Sequence, residues 1–233
     1  MTSTPTVVLA HSPFLGPKSL EALADHVAAC GVTALVPDLR PAVTDAPVHQ
    51  RLVSEFASAV SSAPATASLV LVGHSGAGPL LPAFAASAGH PVAALTYVDA
   101  ELPTPGHSWE ETAPVELVDQ LRSRVRDSRL PPWHRWFDGD LLAGLVPDDV
   151  LRTTLIDEEP EVAAAFLAEP RPAADWAGPA SYIQLSRAYA TASARAAQRG
   201  WPIHRIDTHH LAPVTEPATI ADILLDSITA LTP

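Results

Sequence analysis

The chain alternates short runs that are apolar at almost every position with longer runs that are apolar on one face. "TVVLA" (6–10) reads as a buried strand, followed by a loop and a helix over 18–29 that Gly31 ends. "VTALVPDL" (32–39) reads as a second strand and 47–60 as a second helix. "SLVLVG" (68–73) is a third strand, leading across a glycine-rich corner into a helix over 76–88, and "VAALTYVD" (92–99) is a fourth. Strands apolar on both faces and separated by helices predict a parallel sheet wrapped by right-handed crossovers.

Between 101 and 179 this rhythm breaks. The stretch holds many prolines, four of the five tryptophans, and acidic helical pieces such as "PVELVDQLRSRVRD" and "PEVAAAFLA". An inserted helical cap is the simplest reading. The sheet pattern resumes with "ASYIQLS" (180–186), a helix over 187–199, a short strand "PIHRID" (202–207) and a last helix from Pro217 to Ala230. The expected organisation is therefore a core made of 1–100 and 180–233, with 101–179 as the cap.

Composition narrows the partners. The chain has 233 residues, 47% of them apolar, and a formal net charge of −12 from 14 basic and 26 acidic side chains, with no dense basic cluster. Nucleic acid and anionic membrane are poor partners for such a surface. Cys30 is the sole cysteine, which leaves no intrachain disulfide and no cysteine-rich metal site. "MTSTPTVVLAHSPF" has neither a basic leading segment nor a long apolar one, so neither a signal peptide nor a membrane span is predicted and a cytoplasmic location is expected.

The corner "GHSGAG" (73–78) stands at the carboxyl end of the third strand, where an open parallel sheet places its ligands. Ser75 at the tip of a tight strand-to-helix turn would be an exposed nucleophile, with small residues at 73 and 77 for close packing and the Gly76 N–H directed at a developing oxyanion. Two other readings stay open. The serine could simply cap the helix. Alternatively, Gly73, Gly76 and Gly78 could cradle a dinucleotide with Asp99 on its ribose, although the spacing is G-x-x-G-x-G and the corner follows the third strand.

A serine nucleophile needs a base, and the base an orienting acid, in the order Ser, acid, His. "IDTHHLAPVTEP" (206–217) supplies two histidines late in the chain. With "VVLAHSPFLGP" after the first strand, "GHSGA" at the corner, the inserted cap and a histidine seven residues before a helix-opening proline, the chain resembles the α/β-hydrolase superfamily, in particular small bacterial esterases and thioesterases. The resemblance covers nearly the full length and lacks the family's first two antiparallel strands. It implies an α/β fold with a mostly parallel sheet of about six strands flanked by helices, and a helical cap insertion.

The resemblance also implies site residues. His210, seven residues before Pro217, would be the base, with His209 pointing elsewhere. Adjacent histidines rarely ligate one ion, so no metal and no cofactor is expected. The family's usual acid follows the strand that here reads "SYIQLS", but "RAYATASA" contains no carboxylate. Certain haloalkane dehalogenases carry the acid at the end of the preceding strand, which here is Asp99, with Glu101 as a second candidate.

One position departs from the family. In "AHSPFLGP" Ser12 stands where a glycine is usual, and Pro13 has no N–H to complete an oxyanion hole. Phe14, or Leu15 in a shifted loop, would have to donate beside Gly76. Ser12, His74, Trp109, Trp133 and Trp136 are the candidate pocket residues, since aromatic rings with polar tips suit a mostly apolar pocket. The expected function is a serine hydrolase acting on an ester, thioester or lactone of a medium-sized, largely apolar small molecule. The alternatives are a cofactor-free lyase or cyclase using the Ser–His pair as acid and base, or a non-catalytic binding protein; a homodimer stays open.

Overall fold

The computed structural model describes residues 5–64 and 66–232. Its centre is one six-stranded sheet, every pairing parallel, built from β1 (Thr6–Ala10), β2 (Ala34–Leu35), β3 (Leu69–His74), β4 (Val92–Val98), β5 (Ala180–Gln184) and β6 (Ile203–Arg205) in the order β2-β1-β3-β4-β5-β6. Valine and leucine at successive positions of β1 and β3 are fully buried because the sheet is covered on both sides. Val7, Leu9, Val70 and Val72 face α1 (Lys18–Ala29) and α9 (Pro217–Leu231). The alternate residues Val8, Leu69 and Leu71 point to the other face, which α2 (Val48–Val60) and α3 (Leu81–Ser87) cover, with α7 (Ala190–Gln198) against β5 and β6.

Most boundaries follow the apolar pattern, and the departures trace to proline. The strand expected over 32–39 shrinks to two residues, because Pro37 has no N–H for the ladder. The helix expected over 76–88 is a 3₁₀ turn over Ser75–Leu80 followed by α3, since Pro79 and Pro82 cannot donate to a continuous α-helical ladder. A short α8 (Ala212–Thr215) precedes α9, which Pro217 opens from a helix-compatible first position.

Between β4 and β5 the chain forms α4 (Val115–Arg124), α5 (Leu141–Leu145) and α6 (Asp149–Asp157), linked by irregular, proline-rich segments. Its buried side chains, including Leu121, Trp136, Val162 and Phe166, join the same hydrophobic cluster as α2 and α3. Where this segment leaves β4 it crosses close over the serine corner. A Cβ built on Gly78 would stand 2.6 Å from the Glu101 carbonyl oxygen and 2.7 Å from Ala100 Cβ. Packing against that strand exit accounts for Gly78, with no phosphate required. Among the described residues no helix is long and apolar enough to cross a membrane.

Candidate active site

β1 is flanked by β2 on one side and β3 on the other, so the chain switches direction across the sheet beside β1, and ligands bind at the carboxyl edge of such a switch. Three loop regions meet there: residues 11–16 after β1, the serine corner after β3 and the turn after β4. Ser75 has φ 56° and Asp99 φ 41°, both in the left-handed region that non-glycine residues rarely occupy. Each is the first residue past the end of its strand. The positive φ turns each side chain out of the strand's alternation and toward the same point.

At that point His210 bridges them. Its Nε2 lies 3.0 Å from Ser75 Oγ and its Nδ1 2.8 Å from Asp99 Oδ2. Asp99 is fully buried and accepts three further hydrogen bonds: Leu185 N–H and Ser186 N–H on Oδ1, each 2.9 Å, and the Ser186 hydroxyl on Oδ2, 2.7 Å. Burial alone would push this carboxyl up, but the hydrogen bonds and charge of His210 and the donors of Ser186 override it and hold Asp99 below the ordinary carboxylate range. The ionised carboxylate keeps the proton on His210 Nδ1, so Nε2 is the acceptor for the Ser75 hydroxyl. Glu101, the second candidate acid, makes no hydrogen bond to His210 and lines the cavity instead.

His74 is placed differently from the expectation. It is fully buried and does not line the cavity; its ring stacks on His210 with centroids 4.6 Å apart, and its Nε2–H donates to the His210 carbonyl at 2.9 Å. Burial, with the neighbouring His210, pulls His74 down to about 3, so it stays neutral and packs as a brace behind the His210 ring. His209 turns away to Thr215, whose hydroxyl lies 3.1 Å from His209 Nε2.

The loop after β1 also differs. The Phe14 N–H, expected as an oxyanion donor, points toward the Ser12 hydroxyl oxygen at 3.4 Å, because the Ser12–Leu15 turn curls the backbone inward. Ser12 is buried and forms no part of the cavity wall, but it borders the corner beside Gly76: a Cβ built on Gly76 would come within 3.2 Å of Ser12 Oγ and 3.1 Å of Pro13 Cδ. His11 fixes this loop. Its Nε2 accepts from Leu39 N–H at 3.0 Å, so its Nδ1–H donates to the Ser12 carbonyl at 2.8 Å.

Above Ser75 lies a cavity of about 200 Å³, walled by Phe14, Trp109, Trp133, Trp136, Phe166 and Tyr189. The three tryptophans are where the sequence places them. Trp136 meets Phe14 edge-on at 4.5 Å and Trp109 at 5.9 Å, while its Nε1–H is spent on the Pro131 carbonyl. Tyr189, Glu101, His49 and Arg171 also line the cavity and escape sequence reasoning as pocket residues. Tyr189 follows β5 by a few residues, and that position at a strand's carboxyl end is the one signal that could have drawn attention to it. No group of three or more metal-ligating side chains occurs among the described residues.

No family profile matches the chain, and no curated protein matches it. Its fold does match solved structures over nearly the full length. An extracellular α/β-hydrolase from a Paenibacillus species aligns with TM-score 0.76 at 18% identity, covering 96% of this chain and 98% of that one. A methylketone synthase from tomato, complexed with 2-tridecanone, gives 0.72 at 13% identity over 99% and 100%. A methylesterase from Arabidopsis gives 0.67 at 17% over 98% and 100%.

Proposed function

We propose that this chain, which has the α/β-hydrolase fold, hydrolyses carboxylic esters through an acyl-enzyme on Ser75. The observation that carries the proposal is the relay from Ser75 Oγ to His210 Nε2 and from His210 Nδ1 to Asp99, at 3.0 Å and 2.8 Å, on an elbow whose nucleophile has positive φ. Ser75 Oγ attacks the ester carbonyl carbon while its proton passes to His210 Nε2. The C–O bond to the leaving group then breaks, and His210 returns the proton to the departing alkoxide. Water repeats the sequence on the acyl-enzyme, with His210 again as base, releasing the acid and restoring Ser75.

The tetrahedral intermediate needs donors for its oxygen. Gly76 is the second residue of the 3₁₀ turn, so its N–H has no acceptor within the turn. Pro13 offers none. The Ser12 hydroxyl is an acceptor in its contact with Phe14 N–H, which leaves its own proton for the same oxyanion. The esterases among the structural neighbours support the reaction class, and the aromatic walls suit a largely apolar substrate. A thioester or lactone would be cleaved by the same steps.

A fluorophosphonate probe tests the reading. Stoichiometric labelling of Ser75, abolished in Ser75→Ala and in His210→Ala, is the expected result; an unlabelled Ser75 under conditions where a control esterase reacts fully would sink it. A second reading rests on Tyr189, whose hydroxyl stands 3.4 Å from Ser75 Oγ. With Pro13 removing a backbone donor, Ser75, His210 and Tyr189 could together move protons in a lyase or cyclisation without an acyl-enzyme. Turnover with no incorporation of solvent oxygen into product would favour that reading.

A further inference from the structure

Arg171 is a buried cation with no direct ion pair among the described residues, although the charge of Glu101 supports it. It is 6% exposed, and no carboxylate oxygen lies within 4.0 Å of its guanidinium among the described residues. All its side-chain hydrogen bonds come from one nitrogen, Nη1, which donates to Thr104 Oγ1 at 2.6 Å, to Thr112 Oγ1 at 3.0 Å and, at 3.4 Å, to the Ser108 carbonyl. The backbone is held as well, with Arg171 N–H on the His107 carbonyl and Gly106 N–H on the Arg171 carbonyl. Nε and Nη2 have no hydrogen-bond partner among the described residues. Arg171 lines the cavity together with Ser75, so the side chain that carries these two free donors borders the substrate space.

An enclosed charge without a direct partner is costly, and burial works against the arginine's charge here, offset only in part by the charge of Glu101. The Nε–Nη2 edge of a guanidinium is a planar pair of parallel donors that matches a carboxylate in a bidentate pair. We infer that this edge is a carboxylate-binding subsite, and that the substrate is an ester carrying a free carboxylate. The inference rests on the ester-hydrolysis reading for what happens at Ser75, but not for what Arg171 binds. A carboxylate fits better than a phosphate dianion, because among the described residues one guanidinium is the sole cation lining a cavity that also contains Glu101, in a chain of net charge −12. The carboxylate sits on Arg171, the carbon chain runs between the aromatic walls, and the ester carbonyl reaches Ser75.

The test compares mono-4-nitrophenyl adipate with 4-nitrophenyl 6-methylheptanoate, which replaces the free carboxylate by an isopropyl group of the same shape. Wild type is expected to favour the adipate by about 10- to 100-fold in kcat/KM at low salt. Added salt reduces that ratio, and Arg171→Gln, which keeps a donor for Thr104, brings it close to one while still hydrolysing the neutral ester. A binding arm is independent of turnover: adipic acid monoamide and 6-methylheptanamide are titrated into wild type and Ser75→Ala by tryptophan fluorescence, with the same selectivity expected. No carboxylate preference in wild type, or a preference that survives Arg171→Gln, overturns the inference. If the ester-hydrolysis reading fails instead, neither ester forms an acyl-enzyme while carboxylate-selective binding persists.

Discussion

The ring of Tyr189 lies face to face with that of His210, centroids 5.1 Å apart and 11° from parallel. With His74 also stacked on His210, the imidazole packs against two rings, and burial raises Tyr189 so that it stays protonated. In ester hydrolysis the stack should matter more than the hydroxyl. Tyr189→Phe is expected to keep kcat within about threefold, as a 3.4 Å contact is a weak hydrogen bond, whereas Tyr189→Ala frees the imidazole and lowers kcat at least tenfold. In proton-transfer chemistry Tyr189→Phe itself would cost about 100-fold or more, so the pair of variants separates the two readings.

Asp99 holds the Nδ1 proton of His210 and accepts from three other donors. Asp99→Asn cannot hold that tautomer, and kcat is expected to fall by about 1,000- to 10,000-fold with KM little changed. Glu101→Gln, by contrast, leaves the relay untouched. Steady-state kinetics of both variants on one activated ester decides between the two carboxylates, and a larger loss in Glu101→Gln would reject Asp99.

Ser12 is the test of the oxyanion hole. Removing one donor costs about 100- to 1,000-fold in kcat, which is the loss expected for Ser12→Ala. In that background Pro13→Ala restores a backbone N–H, and partial recovery of kcat is the expected outcome. Unchanged kcat in Ser12→Ala would show that Gly76 N–H acts without it.

Acid should unfold the protein early. His11 and His49 are pulled down to about 4 and His74 to about 3, each chiefly by burial, against about 6.5 in an unfolded chain. Unfolding therefore takes up protons between those values. The stability is fully present above about pH 7 and is lost as pH falls from about 6.5 toward 4, with up to three protons and about 4 kcal/mol per pH unit at the steepest point. Asp99, held low, adds a further loss below about pH 4 as it protonates. Urea unfolding at pH 7, 6 and 5 measures the slope; a flat profile over that range would show that these histidines are not held neutral.

Much of this molecule is written along the chain. Continuous apolar runs such as "TVVLA" and "LVLVG" can be stable only as strands covered on both faces, which dictates the parallel sheet and its helices. The serine corner, the late histidine and the tryptophan-rich segment were legible for a related reason: their residue types and order are set by local backbone requirements and by the sequence of strands. The role of His74 was not legible, because a residue beside Ser75 turns either toward the cavity or beneath the base according to backbone twist. The Phe14 N–H was lost to Ser12 through a turn that no spacing reveals. Tyr189 and Arg171 belong to the cavity only because β5 and the end of the 101–179 segment fold back over Ser75. The sequence by itself determined the sheet and the residues that could form a relay. The tertiary structure alone decided which polar groups are satisfied and which remain open, since that depends on distances between segments as far apart in the chain as His74 and His210, 136 residues, and those are set by packing.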